Sequence, residues 1–306
     1  MDVNHGSTPA SSSLPLVGAA VAEDADGLML EQIAAARTRC GRPVVIGLCG
    51  AQGSGKSTTA GRLAAKLAVS GRATAIVSID DFYLTRSERL ALAQNTHALL
   101  GTRGVPGTHD TKLMMHTLLS LLEAGTADTV AIPRFDKSRD DRVPEAAWTP
   151  HRGPVEVVLL EGWCVGARPQ QEDALTTPVN ELEREEDAQG RWRRYVNQRL
   201  ESDYADLFSL LDLRILLRSP DFETVHAWRA QQEAGLNRTG ESLRPMNDRE
   251  LRRFIAHYER LTRWILLDEP ANLILHLDAD RVPIKYRLKD FEPPTVNRPP
   301  THSSRM

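Results

Sequence analysis

Val44-Val45-Ile46-Gly47-Leu48-Cys49-Gly50-Ala51-Gln52-Gly53-Ser54-Gly55-Lys56-Ser57 decides the fold of this chain. The apolar run from Val44 to Cys49 reads as a buried strand, and the eight residues from Gly50 to Ser57 fit the phosphate-loop pattern G-x-x-x-x-G-K-[ST]. Thr58 to Val69 is rich in Ala, Leu and Lys, with apolar residues at helical spacing. Strand, loop and helix in that order let the backbone of Gly50, Ala51, Gln52, Gly53, Ser54, Gly55 and Thr58 turn around a triphosphate. Lys56 neutralises the β and γ phosphates, and the Ser57 hydroxyl is placed to ligate Mg²⁺. The chain is read as a user of a nucleoside triphosphate.

The remainder alternates strands with helices. A helix over Gly27 to Arg39 precedes the first strand, Ala73 to Ile79 reads as the next, and helices follow at Ser87 to Leu100 and Thr111 to Glu123. Strands are expected at Thr129 to Ile132, Val155 to Leu160, Leu213 to Leu217 and Leu273 to Leu277. Helices are expected around Arg193 to Leu211, Phe222 to Glu233 and Asp248 to Leu267. The alternation predicts an α/β, three-layer fold of the P-loop NTPase type: a mostly parallel central sheet, helices on both faces and a small lid, with ligands beyond the strands' carboxyl ends.

The organisation expected is a Ser/Ala/Gly/Pro-biased disordered leader over 1–24, one phosphate-loop domain over 25–292 and a proline-rich disordered tail over 293–306. Within the domain, 133–153 is a charged lid loop and 170–190 a polar surface excursion. At 306 residues with 41% hydrophobic content, the chain can bury a full core. A net charge of −3 gives no global basic excess for nucleic acid or an anionic membrane. Three scattered cysteines exclude a disulfide scaffold and fit a reduced, cytoplasmic setting. Arg191, Arg193 and Arg194 follow an acidic run, so they read as a solvated helix face rather than a nucleic-acid patch.

The chemistry concentrates in four places. Val157-Val158-Leu159-Leu160-Glu161 is an apolar strand ending in a carboxylate, the form of a second metal-supporting motif, so Glu161 joins Ser57 as a candidate Mg²⁺ ligand. Asp80-Asp81-Phe82-Tyr83 leaves the strand beside the phosphate loop. Adjacent carboxylates repel unless a cation or a substrate hydroxyl uses them, so Asp80 is read as the base for an attacking hydroxyl. Asp81 then serves as a metal-water or structural partner near the acceptor, beside Tyr83. Arg103, His109 and Asp110, on a Gly-rich loop, form a candidate acceptor wall, with Asp110 also placed to cap the next helix. Arg134, Lys137, Arg139 and Arg142 put four cations into nine positions, a density suited to gripping an anionic acceptor and the migrating phosphoryl group. From a late helix, Arg229 is placed to reach back to the triphosphate. Leu266-Leu267-Asp268-Glu269, which imitates a transport-ATPase motif, is read as a helix end because no L-S-G-G-Q signature accompanies it. No N-K-x-D guanine-reading motif occurs, which disfavours a GTPase switch.

With those motifs in hand, the chain resembles the P-loop small-molecule kinases related to uridine kinase and pantothenate kinase, and within them is most similar to plant-type D-glycerate 3-kinases. The resemblance runs in order over roughly residues 44 to 285, through Ser78-Ile79-Asp80-Asp81-Phe82-Tyr83-Leu84-Thr85, Arg103-Gly104, His109-Asp110, Pro133-Arg134-Phe135-Asp136-Lys137-Ser138, Leu160-Glu161-Gly162-Trp163, Val196-Asn197 and Trp228-Arg229. It implies transfer of the ATP γ-phosphate to the 3-hydroxyl of D-glycerate with Mg²⁺, Asp80 activating the hydroxyl, Glu161 supporting the metal, and Arg134, Lys137 and Arg142 on the lid. The chain departs from the family at Phe135-Asp136, where a Tyr-Asn pair is expected, in a shorter lid, and at 170–190, which has no family counterpart. Sister kinases phosphorylate other hydroxyls, so another small alcohol, a nucleoside or a pantothenate-like compound, stands as the alternative acceptor. An ATP-binding regulatory module with slow hydrolysis is the alternative from a different class.

Overall fold

A computed structural model describes residues 21–239 and 246–290. Most of the expected leader and all of the expected tail lie outside the described residues. Helix α1 (Val21–Cys40) carries a non-helical residue at Asp24, so its regular part begins where the leader was expected to end. Strand β1 (Val44–Gly50) is buried along its whole length, as a strand covered on both faces must be. After it come α2 (Lys56–Val69), β2 (Thr74–Ser78), a 3-10 turn over Ile79–Phe82, α3 (Arg86–Asn95) and α4 (Thr111–Glu123). Short strands β3 (Thr129–Ile132), β4 (Phe135–Asp136), β5 (Asp141–Arg142) and β6 (Thr149–Arg152) precede the buried β7 (Val157–Gly162). The rest is α5 (Glu181–Glu186), α6 (Arg191–Glu201), α7 (Asp203–Phe208), β8 (Leu213–Arg218), α8 (Phe222–Thr239), α9 (Asp248–Asp268), β9 (Leu273–Leu277) and β10 (Pro283–Leu288).

The main sheet has the order β10-β9-β8-β1-β7-β2, parallel throughout except for β10, which pairs antiparallel with β9. Alternate residues of β1 enter two separate cores. Val44, Ile46 and Leu48 pack with Met29 and Ile33 of α1 and Leu63 of α2, while Val45 and Cys49 face Met114 of α4, Leu207 of α7 and Ile265 of α9. Burial of these apolar faces, at roughly 25 cal/mol per Å² removed from water, holds the three layers together. No described helix is long and apolar enough to cross a membrane.

Five expectations are corrected. Strand β3 is outside the main sheet: it pairs antiparallel with β6, and β4 pairs with β5, so the charged loop 133–153 is partly a folded antiparallel strap. The helix expected over Arg193 to Leu211 is two, broken at Ser202. The edge strand β10 is additional, and its alternation of Ile284, Tyr286 and Leu288 with Lys285 and Arg287 is too short to stand out from a loop. The stretch 170–190 is no mere surface excursion, because Glu183 and Asp187 are buried and Glu183 takes a two-point ion pair from Arg260 at 2.7 and 2.6 Å. Asp187 likewise holds Arg193 at 3.0 Å, which buries an arginine expected on a solvated face.

Candidate active site

The carboxyl ends of β1, β7 and β2 deliver the phosphate loop, Glu161 and Asp80 to one side of the sheet, where ligands of open α/β sheets bind. Gly53 and Gly55 take left-handed backbone angles (φ +79° and +85°), which side-chain-bearing residues adopt only with strain. A Cβ on Gly53 would also stand 2.7 Å from Cβ of Trp228. Thus the loop owes its form both to its own glycines and to a helix more than 170 residues away.

A cavity of about 660 Å³ opens over this loop, walled by Lys56, Ser57, Asp80, Arg103, Lys137 and Glu161. Tyr83, Trp163, Arg229, Tyr258 and Arg281 also line it. The Ser57 hydroxyl donates to Glu161 Oε1 at 2.9 Å. Glu161 is 4% exposed, and its other oxygen, Oε2, is buried with no hydrogen-bond partner among the described residues. An unpartnered buried carboxylate oxygen is costly, and its position beside a hydroxyl on the cavity wall fits a hard cation. Among the described residues no cluster of three His, Cys, Asp or Glu would hold a metal alone. The donor set therefore suits Mg²⁺ bound through one carboxylate, one hydroxyl, water and phosphate oxygens.

Asp80 is half-buried and accepts from Tyr83 Oη at 2.8 Å and from Lys137 Nζ at 2.9 Å. Burial alone would lift its pKa, but the charges of Lys137 and Lys56 and the two hydrogen bonds outweigh that and hold the carboxyl below its ordinary value. Asp81 goes the other way: burial raises it in spite of Arg134. One carboxylate is thereby kept ionised in the cavity while its neighbour serves the strap.

Five residues expected on the acceptor and strap side do not line the cavity, nor do Gly50, Ala51 and Ser54 of the phosphate loop, and each of the five has another employment. Asp81 accepts from Arg134 at 2.7 Å and from the Phe135 N–H at 3.1 Å, so Asp81 and Arg134 tether the strap. Asp110 caps α4 through Leu113 N–H at 2.9 Å and takes Arg142 at 3.2 Å, and Arg142 also donates to the Tyr83 carbonyl at 3.0 Å. His109 is buried beneath Tyr83, stacked on it at 4.6 Å, with Nδ1 2.6 Å from Tyr204 Oη. Burial pushes its pKa down to about 4, leaving a neutral ring that orients Tyr83. These residues build the layer behind the wall. Sequence reasoning missed Trp163, Tyr258 and Arg281 as cavity residues; Trp163 donates to the Gly104 carbonyl at 2.9 Å and Tyr258 to the Arg103 carbonyl at 3.2 Å, which fixes the Gly-rich loop.

This chain is 34% identical over 231 residues to an uncharacterized kinase, mug58, of Schizosaccharomyces pombe, an alignment covering 71% of this chain and 79% of that one. It belongs to the P-loop small-molecule kinases. The kinase is also 31% identical over 223 residues to the chloroplastic D-glycerate 3-kinase of Arabidopsis thaliana, across 71% of its own length and 46% of the plant protein, so it spans less than half of that relative. Among solved structures, a D-glycerate 3-kinase from Cryptococcus neoformans var. grubii matches with a TM-score of 0.71 at 26% identity, covering 89% of this chain and all of that one. A family model described as methylmalonyl Co-A mutase-associated GTPase MeaB matches residues 14–85, less than a third of the kinase, a stretch that holds β1, the phosphate loop, α2 and β2.

Proposed function

We propose that this kinase transfers the γ-phosphate of ATP to a hydroxyl of a small anionic metabolite, with D-glycerate, giving 3-phosphoglycerate, as the leading acceptor. The observation that carries the reading is the meeting of the phosphate loop, an ionised Asp80 and the cation Arg103 in one cavity. Lys56 and the loop hold the triphosphate, with Arg229 on the same wall. Mg²⁺, when bound by Ser57 and Glu161, neutralises charge on the phosphates. Asp80 orients the acceptor hydroxyl; as the oxygen–phosphorus bond forms and the bond to ADP breaks, the hydroxyl proton passes to Asp80. A base held ionised well below neutral pH suits this step, because the hydroxyl proton leaves late.

Arg103 is the natural partner of an acceptor carboxylate, since a guanidinium fork matches carboxylate geometry. Its present partner is itself a carboxylate, that of Asp140. Similarity to glycerate kinases at about 30% identity supports the acceptor class. Three free cysteines fit a cytoplasmic setting. ADP release measured across D-glycerate, nucleosides, pantothenate and no acceptor tests the reading. D-glycerate should stimulate ADP release more than the others, and a greater response to an uncharged alcohol would refute the anionic acceptor.

A further inference from the structure

Arg281 carries one of the three positive φ angles found at non-glycine residues among the described residues (+69°). A glycine would suit that position, so an arginine there is held in a strained backbone by the contacts its side chain makes. It sits in the turn between β9 and β10, at the carboxyl edge of the sheet. The turn is rigid: Asp278 Oδ1 accepts from the N–H groups of Asp280 and Val282, each at 2.9 Å, and Trp228 Nε1 donates to the Ala279 carbonyl at 2.6 Å. That frame delivers the Arg281 guanidinium to the phosphate loop, where Nε donates to the Gly53 carbonyl at 2.5 Å. Nη2 donates to Gln231 Oε1 at 2.9 Å, and the guanidinium lies 5.1 Å from the centre of the Trp228 ring. Arg281 and Gln231 both line the cavity.

We infer that Arg281 is a nucleotide-positioning residue. It clamps the phosphate loop from outside by the Gly53 carbonyl and adds a second cation, beside Arg229, to the wall that faces a nucleoside di- or triphosphate. Trp228 closes the loop from one side and supports Arg281 from another, so α8, the β9–β10 turn and the phosphate loop form one unit. A peptide held by its carbonyl cannot rotate, and so keeps the loop's N–H groups in the orientation phosphate oxygens require. The inference rests on the reading of the cavity as a nucleotide site.

Arg281→Gly separates positioning from support, because glycine relieves the left-handed backbone while deleting the clamp. The probe is ADP with Mg²⁺, followed by calorimetry, alongside thermal unfolding and the KM for each substrate. Expected is a melting temperature no lower than wild type, ADP affinity weakened about tenfold, KM for ATP raised in parallel and KM for D-glycerate within about twofold. Gln231→Leu, which removes only the second arm, should weaken ADP about two- to threefold. Wild-type ADP affinity in a folded Arg281→Gly protein would overturn the inference and leave the nucleotide site standing. A wild-type protein that binds no ADP would overturn both.

Discussion

Lys137→Met tests how the ionisation of Asp80 is maintained. The Lys137 ammonium stands 2.9 Å from Asp80 Oδ2, which Coulomb's law values at about 1.4 kcal/mol in water and about 6 kcal/mol at an effective dielectric of 20. The Lys137 side chain is 61% exposed and that of Asp80 29%, so solvent screening brings the contribution near the lower figure. One pKa unit corresponds to about 1.4 kcal/mol. Burial, the largest influence on Asp80, acts upward, and Lys137 is the first of the groups opposing it. Methionine keeps the stem and removes the charge. The acid limb of kcat/KM, which reports the free enzyme, should therefore move up by about one pH unit. The sign for stability follows from the same shift. A carboxyl depressed in the folded state stabilises it above the unfolded value and loses that contribution as pH falls through the folded value. The variant narrows that window, so acid unfolding should begin at higher pH than in wild type. The assay is initial-rate product formation, quantified by mass spectrometry, from neutral pH down to the onset of unfolding. The plateau will fall if Lys137 also touches phosphate, but the position of the limb is independent of plateau height. An acid limb at the wild-type position would refute the argument that Lys137 sets the charge of the base.

Further outcomes follow from the same geometry. Asp80→Ala should abolish transfer while ADP affinity survives, whereas Lys56→Ala should weaken both, measured by product formation and calorimetry. Glu183→Ala leaves the buried Arg260 without its counter-charge and should cost about 3–5 kcal/mol in urea unfolding. Gly104→Ala places a Cβ 2.1 Å from Tyr258 Oη at φ +139°, and should cost about 2–4 kcal/mol by the same measurement while raising KM, since Arg103 and Tyr258 both line the cavity.

The sequence disclosed what local pattern encodes. β1, α4 and β9 stand within a residue of where their apolar spacing put them, because each packs into the core of the sheet and carries an uninterrupted signal, and the phosphate loop stands where its glycine-lysine motif put it. Asp80 and Glu161 were legible because each ends such a strand. Non-local partners were not. The acids of 170–190 read as solvated because Arg260, which neutralises Glu183, lies 77 positions away, and a buried ion pair has no signature within its own segment. Arg134, Arg142, Asp81 and Asp110 carry the charges of an acceptor wall, yet they pair with one another across the strap. Arg281 has no motif around it. Its neighbour in function, Gly53, is 228 residues earlier, and only its left-handed backbone marks it.

The central claim is phosphoryl transfer to a hydroxyl of a small acid. Purified protein, ATP, Mg²⁺ and D-glycerate, followed by mass spectrometry of acceptor and nucleotide together, tests it most directly. The account predicts 3-phosphoglycerate appearing mole for mole with ADP, and neither in the Asp80→Ala protein. ADP that accumulates at the same rate without an acceptor, with no phosphorylated acid formed, would contradict it.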